Sequence, residues 1–372
     1  MSITVAPESS RSPLPDPRSP FWSRAILHLD MDAFFVNVHL LDHPEDAGIP
    51  LVVGGRPEGR GVVASASYEA RQFGIHSAMP AARALRLCPQ LKFVGFNRPR
   101  IRACSQQVMA ILERFGPVEK VSVDEAYVDL SASASPEEIA RRLRTAVEAE
   151  THLPASVGLA TSKLVAKVAS DHDKPQGCTI VRPGEEMAFL APLPVRAIWG
   201  IGPRSAERLA QLGIERCGQL AAADPARLQS AFGARAEALQ ARARGVDERP
   251  VQAESGPRKS LSQETTFAAD VADPAVLRRH LAEMAAAVAT ALQERSLVAS
   301  TVFVKFRWAD FTTFTRQRTV EYTFDNAATI VRLAHALWEE NWTAGQRVRL
   351  LGVGVSSISS DAARQLPLFD RS

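Results

Sequence analysis

Between Arg24 and about residue 181, short apolar runs of strand character alternate with apolar positions at helical spacing. Ala25-Ile26-Leu27-His28-Leu29 and Val118-Glu119-Lys120-Val121 read as strands, and each is followed closely by acidic residues, Asp30-Met31-Asp32 and Asp124-Glu125. Residues 136–150 read as a helix, with Ser135 and Glu138 at capping-box spacing. Such alternation predicts an α/β layer fold. From about residue 185 to 250 strand formers thin out, and Ala, Leu and Arg are punctuated by Gly200, Gly202, Gly213, Pro225 and Gly233. That stretch reads as a small all-helical domain, followed by a polar linker near 251–259. Next come a strand (260–267), a helix (274–295, capped by Asp273), two strands (301–308 and 311–320), a helix (326–342) and a strand (347–356). This is a self-contained βαββαβ unit.

Length and composition frame this pattern. A chain of 372 residues exceeds one ordinary core, so several domains are expected. The net charge of +3 permits a polyanionic partner without demanding one. The four cysteines are scattered with no Cys-x-x-Cys pair, which argues against a zinc site or disulfide framework and for reduced thiols in the cytoplasm. No apolar run approaches membrane-spanning length. The first twenty or so residues, rich in Pro and Ser, read as a disordered leader, and a charged tail ends in Gln365-Leu366-Pro367-Leu368-Phe369.

The two acidic clusters carry the chemistry. Carboxylates beside buried strands are costly unless a cation holds them. Two such clusters converging make an oxygen-rich site suited to Mg²⁺, and paired Mg²⁺ ions serve in-line phosphoryl transfer. Asp30 and Asp32 share a strand face, and the Met31 carbonyl is a further oxygen. Capping of a helix opening at Ala33 is the competing use of the aspartates. Asp124 and Glu125 tip the balance, because adjacent carboxylates after a strand have little structural use.

Several other groups suit nucleotides or DNA. Phe34 and Phe35 follow the first cluster and serve either as packing rings or as a wall beside a nucleotide sugar. Tyr68 and Arg71, three apart, share a helix face and suit a triphosphate. Lys174 stands on the turn Asp173-Lys174-Pro175-Gln176-Gly177. Gly200-Ile201-Gly202-Pro203 with Arg204 has the form of a helix–hairpin–helix turn that offers backbone N–H groups to phosphate. Lys305/Arg307, Arg316/Arg318 and Arg347/Arg349 are pairs spaced by two on three expected strands, so each pair projects from one sheet face, and together they suggest a positive face for DNA. In the tail, Gln365, Leu366, Leu368 and Phe369 fit the groove of a protein partner.

In this order, His28-Leu29-Asp30-Met31-Asp32-Ala33-Phe34-Phe35, Ala66-Ser67-Tyr68-Glu69-Ala70-Arg71, Ser122-Val123-Asp124-Glu125-Ala126-Tyr127 and Asp173-Lys174-Pro175-Gln176-Gly177 resemble the motifs of Y-family DNA polymerases, bacterial DNA polymerase IV type. The resemblance runs from about residue 24 to 360, with the tail added. It implies an α/β multidomain right hand: a ferredoxin-like βαββαβ palm (24–33 and 96–185), small fingers (34–95), an all-helical thumb with helix–hairpin–helix (186–250) and a βαββαβ little finger (259–360). A leader (1–23), a linker (251–258) and a clamp-binding tail (361–372) complete the chain.

It also implies template-directed, low-fidelity translesion synthesis without proofreading, by two Mg²⁺ ions for which Mn²⁺ can substitute. The metals fall to Asp30, Asp124, Glu125 and the Met31 carbonyl, with Asp32 auxiliary. Phe35 falls at the steric gate, and Tyr68, Arg71 and Lys174 at the triphosphate. Expected partners are primer-template DNA, dNTPs and a sliding clamp, for a cytoplasmic, nucleoid-associated monomer. A non-catalytic DNA-binding relative and a palm-fold nucleotide cyclase are the rival readings. The family's Tyr-x-x-Tyr-Ser is here Ile101-Arg102-Ala103-Cys104-Ser105, a departure that concerns local packing.

Overall fold

The computed structural model describes residues 22–254 and 256–360; the leader up to residue 21 and the clamp-motif residues of the tail lie outside them. Along the chain run β1 (Ile26–Met31), α1 (Phe34–Asp42), β2 (Leu51–Gly54), β3 (Val63–Ala66), α2 (Tyr68–Gln72), α3 (Ala81–Leu87), β4 (Lys92–Val94) and α4 (Arg98–Leu112). Then come β5 (Val118–Lys120), β6 (Glu125–Asp129), α5 (Pro136–Thr151), β7 (Ala155–Ala160), α6 (Lys163–His172) and β8 (Cys178–Ile180). Helices α7 (Glu186–Leu190), α8 (Pro203–Gln211), α9 (Cys217–Ala222), α10 (Pro225–Phe232) and α11 (Ala236–Ala243) follow. The last domain is β9 (Ser260–Val271), α12 (Pro274–Gln293), β10 (Leu297–Trp308), β11 (Thr313–Phe324), α13 (Ala327–Asn341) and β12 (Val348–Ser360).

The described residues form two compact units, one up to Gly48 and from Phe96 to Glu254, the other Ile49–Gly95 with the chain from Gly256 on. In the first unit the sheet order is β5-β6-β1-β7-β8. β1 lies between β6 and β7, antiparallel to both, which is the arrangement of a ferredoxin-like βαββαβ unit with β8 added. Every residue of β1 is buried because both sheet faces are covered. Leu27, Leu29 and Met31 enter one core with residues of α4 and α5, such as Val108, Leu112 and Leu143. Ile26, on the opposite face, joins a core built from α6 and the thumb helices.

The sheet and α6 lie unusually close at Gly158. A Cβ there would stand 2.1 Å from the Ala166 carbonyl oxygen and 2.4 Å from the Ser170 nitrogen, so only glycine lets the helix settle at that depth.

Two expectations change here. The fingers were expected to begin at residue 34, yet α1 belongs to the first unit, with Phe34 and Val38 buried in the palm core. The capping box at α5 does not form: Ser135 occupies the N-cap position without a side-chain cap hydrogen bond. Proline at the first position of α5 leaves one fewer N–H to satisfy there.

In the second unit, residues 49–95 form a small sheet ordered β3-β2-β4, with Val52, Ala70, Ile75 and Leu91 in its core. The C-terminal sheet is ordered β11-β10-β12-β9, and its Val302, Val304, Phe306 and Val353 pack with Leu281, Val288, Leu333 and Trp338 of α12 and α13. Among the described residues, no helix is long and apolar enough to cross a membrane.

Candidate active site

Antiparallel pairing sets Asp30 of β1 directly opposite Glu125 of β6, so both carboxylates project from the same sheet face. The pairing continues past the strand end, where the Met31 N–H donates to the Asp124 carbonyl at 3.0 Å. Ser122 fixes the turn before β6: its Oγ accepts from the backbone N–H of Asp124 (3.1 Å) and Glu125 (3.0 Å) and donates to the Asp124 carboxylate.

Three lysines reach these acids and their neighbours. Lys174 Nζ stands 2.5 Å from Asp30 Oδ1 and 3.2 Å from Asp171 Oδ1. Lys167 Nζ stands 2.8 Å from Glu125 Oε2, and Lys163 Nζ lies 2.6 Å from both oxygens of Glu119. Lys163 and Lys167 come from α6, one turn apart, and Lys174 from the turn after it.

Burial pushes the Asp30 carboxyl up to about 7; Lys174 opposes this and the adjacent Glu125 reinforces it. Burial draws Lys174 downward, but Asp30 and Asp171 outweigh it and the net shift is upward. The pair therefore shares its charge at the floor of the site.

Asp32 has a different task. Ser156 Oγ lies 3.0 Å from each of its carboxylate oxygens, and the Gln176 N–H donates to it at 2.8 Å. Gln176 belongs to the turn that carries Lys174, and Gly177 N–H donates to Ser156 Oγ at 3.2 Å. Asp32 thus ties the Lys174 turn to the sheet, rather than capping α1, whose N-cap Ala33 has no side-chain cap bond.

The two phenylalanines separate cleanly. Phe34 is buried in the palm core, so its ring packs there. Phe35 is half-buried, with its ring centroid 5.7 Å from the Phe34 ring and, edge-on, 5.7 Å from the exposed Phe96.

The expected gathering of three acids is incomplete: among the described residues, no three His, Cys, Asp or Glu side chains form a group that could hold a metal ion. Asp30 and Glu125 come together, while the Asp124 side chain turns to Ser122. The donor chemistry nevertheless suits a hard divalent cation. All donors are oxygens, and the buried Asp30 carboxylate gains from added positive charge.

Residues that sequence reasoning missed lie beneath the acids. His28, two before Asp30 on the same strand face, is fully buried, with Nδ1 2.7 Å from Ser170 Oγ and Nε2 3.9 Å from Glu125 Oε2. Burial holds its pKa well below the ordinary imidazole value, and Lys167 and Lys174 add to this. A polar residue in the middle of an otherwise apolar strand was the signal for it.

The other expected residues lie elsewhere. In the second unit, Arg71 of α2 stacks its guanidinium 4.5 Å from the Tyr68 ring centroid and donates to the Ala66 carbonyl at 3.1 Å. In the thumb, Gly200 has φ +94°, a left-handed conformation that favours glycine, whereas Gly202 is the extended N-cap of α8. Arg204 is exposed in the first turn of that helix.

The single positive face of the last domain does not form. Arg316 and Arg318 pair in register with Val304 and Val302, which puts them on the helix-covered side. There they reach Asn341 (3.1 Å) and Glu340 (2.5 Å) of the α13 region. Lys305 and Arg307 lie on the other face, with Lys305 2.8 Å from Glu264 and Arg307 donating to Thr313 at 2.8 Å. Arg347 precedes β12, and Arg349 lies 4.1 Å over the exposed Phe311 ring.

Comparison with known proteins agrees with this architecture. Residues 29–171 match the impB/mucB/samB family, 183–214 its HHH motif and 258–368 its C-terminal domain. The chain is similar to DNA polymerase IV of Methanoculleus marisnigri, 44% identical over 350 residues that cover 92% of this chain and 97% of that one. It is also similar to DNA polymerase IV of Halorhodospira halophila, 43% identical over 347 residues, covering 92% and 97%. Among solved structures, a Y-family DNA polymerase chimera superposes with a TM-score of 0.79 at 26% identity, covering 90% of this chain and 99% of that one.

Proposed function

The chain belongs to the Y-family DNA polymerases, DNA polymerase IV type, and we propose that its opposed Asp30 and Glu125, with Asp124, form the centre at which a primer is extended. It is a translesion DNA-directed DNA polymerase, dependent on divalent metal. In this reading the metal is Mg²⁺, two ions held by Asp30, Asp124, Glu125 and the Met31 carbonyl, with Mn²⁺ able to substitute. When bound, such ions activate the primer 3′-OH and neutralise the leaving pyrophosphate.

The protein's own groups orient the reactants around that centre. Lys174, held by the turn that Asp32 anchors, presents its ammonium to the triphosphate, and Tyr68 with Arg71 adds a hydroxyl and a planar fork. Phe35, the half-buried member of the Phe34–Phe35 pair, stands against the sugar and excludes a 2′-OH. Gly200, Gly202 and Arg204 of the thumb contact backbone phosphates, as do Lys305, Arg307 and Arg349 of the little finger. Gln365, Leu366, Leu368 and Phe369 serve as a sliding-clamp peptide, and the enzyme acts as a nucleoid-associated monomer, at low fidelity and without proofreading.

The register that places Asp30 opposite Glu125 carries this reading, because a binding-only relative has no use for two carboxylates forced together. Its test is Asp124→Ala in a primer-extension assay with Mg²⁺. Extension should fall by about a thousandfold while primer-template affinity is kept; retained extension would overturn the assignment. For the gate, Phe35→Ala should raise ribonucleotide incorporation by roughly ten- to a hundredfold. Unchanged sugar discrimination would reduce Phe35 to a packing residue.

A further inference from the structure

Beneath the carboxylates lies one buried polar atom that this mechanism leaves unused, Nε2 of His28, which has no hydrogen-bond partner. It stands 3.9 Å from Glu125 Oε2, beyond a hydrogen bond but well within electrostatic reach. On the other side of the ring, Nδ1 is 2.7 Å from Ser170 Oγ, and that hydroxyl is also 2.8 Å from the Lys167 carbonyl.

One hydroxyl proton must choose between these acceptors, and the choice fixes the imidazole. If Ser170 donates to Lys167, then Nδ1 carries the ring proton and Nε2 turns a bare lone pair toward a carboxylate, acceptor against acceptor in a buried place. If Ser170 donates to Nδ1, then Nε2 carries the proton and faces Glu125 as a donor. The second arrangement is the favoured one: it relieves the contact of a bare lone pair with the Glu125 carboxylate, and the only bond given up is the side-chain bond from Ser170 to the Lys167 carbonyl.

We propose that His28 is a positioning residue for Glu125, held as the Nε2–H tautomer by Ser170 so that the carboxylate stays turned toward Asp30. Two further features fit this role. The Tyr127 ring lies 4.7 Å from the imidazole, tilted by 55°, and restrains its plane. Gly158, directly opposite His28 on β7, is what lets α6 come close enough to bring Ser170 to Nδ1 and Lys167 to the same Glu125 oxygen. Glu125 is therefore gripped from outside by an ammonium and faced from beneath by a neutral N–H, as outer groups commonly orient a metal-binding carboxylate.

The inference rests on reading Glu125 as a metal ligand, and its test separates the two. Mn²⁺ binding to the full-length protein, without DNA, is titrated by electron paramagnetic resonance. His28→Phe, which keeps a ring but loses the donor, should weaken Mn²⁺ binding about tenfold. His28→Gln, whose amide N–H can reach the position of Nε2, should restore most of it. Ser170→Ala should fall between wild type and His28→Phe.

A ¹⁵N spectrum of histidine-labelled wild-type protein, with the His28 signals identified by their loss in His28→Phe, should show Nε2 protonated and Nδ1 as acceptor. Equal Mn²⁺ affinity in wild type and His28→Phe would overturn the proposal, as would an Nδ1–H spectrum. If His28→Phe does not fold, the same signals are identified by their loss in His28→Gln and the spectrum decides. If Glu125→Gln also binds Mn²⁺ as wild type does, the ligand reading falls and takes this inference with it.

Discussion

The palm and the little finger share the order βαββαβ yet handle charge in opposite ways. In the palm, the two acids face each other across adjacent central strands, and their buried surroundings are filled by partners: Lys174 on Asp30, Lys167 on Glu125, and Ser156 with Gln176 on Asp32. In the little finger the paired charges lie nearer the solvent: Lys305 and Arg318 are half-buried, their partners Glu264 and Glu340 are exposed, and water could replace each partner. A buried acid stripped of its partner costs several kcal/mol, whereas an exposed ion pair contributes about 0–1 kcal/mol. The same element order therefore supports a rigid site in one domain and an adaptable surface in the other.

The sharpest way to break this contrast is to remove one charge from each domain. Asp30→Asn should lower extension by about a thousandfold and leave primer-template affinity near wild type. Lys305→Ala should weaken that affinity while leaving the rate at saturating DNA unchanged. Separate measurement of binding by fluorescence anisotropy and of single-turnover rate by quench flow distinguishes the two. If Asp30→Asn loses affinity and keeps its rate, the two domains do not divide the work this way.

A second test uses the depth of the palm site. Burial raises Asp30 to about 7, so below that pH a proton competes with any cation for its oxygens. The sign is fixed: the half-saturating Mg²⁺ concentration should rise as pH falls through about 7, by about tenfold per unit if one proton is displaced. Above that value the dependence should flatten. Steady-state extension at a series of Mg²⁺ concentrations and pH values measures it, and a flat response across the range would show that Asp30 is already ionised by Lys174.

How much was legible follows the same division. Palm motifs sit on strands whose apolar runs fix them, so Asp30, Asp124, Glu125 and the Lys174 turn could be read directly, as could every element of the C-terminal βαββαβ unit. Long-range partners could not. Ser156 and Gln176 on Asp32, or Ser170 on His28, meet only through the pairing of β1 with β7 and the depth of α6. The expectation of one shared positive face failed for a related reason. Spacing by two places both members on one face but does not say which, because a one-residue change of register exchanges the faces.

That register error yields the smallest and most discriminating prediction. Arg316 and Arg318 stand opposite Val304 and Val302 and are engaged by Asn341 and Glu340, whereas Lys305 and Arg307 project from the face away from the helices. Each lysine or arginine that contacts a phosphate contributes about −0.9 to the slope of log affinity against log salt. Lys305→Ala/Arg307→Ala should therefore flatten that slope by about two and weaken binding several-fold at moderate salt. Arg316→Ala/Arg318→Ala should leave the slope unchanged and lower thermal stability only slightly, since Arg316 is exposed, Arg318 half-buried, and both lose only contacts open to water. Primer-template titrations from low to moderate salt measure both. If the Arg316/Arg318 variant lost the steeper slope, those guanidiniums would leave α13 for the phosphates when DNA binds, and the face assigned by register would not be the one that reads the backbone.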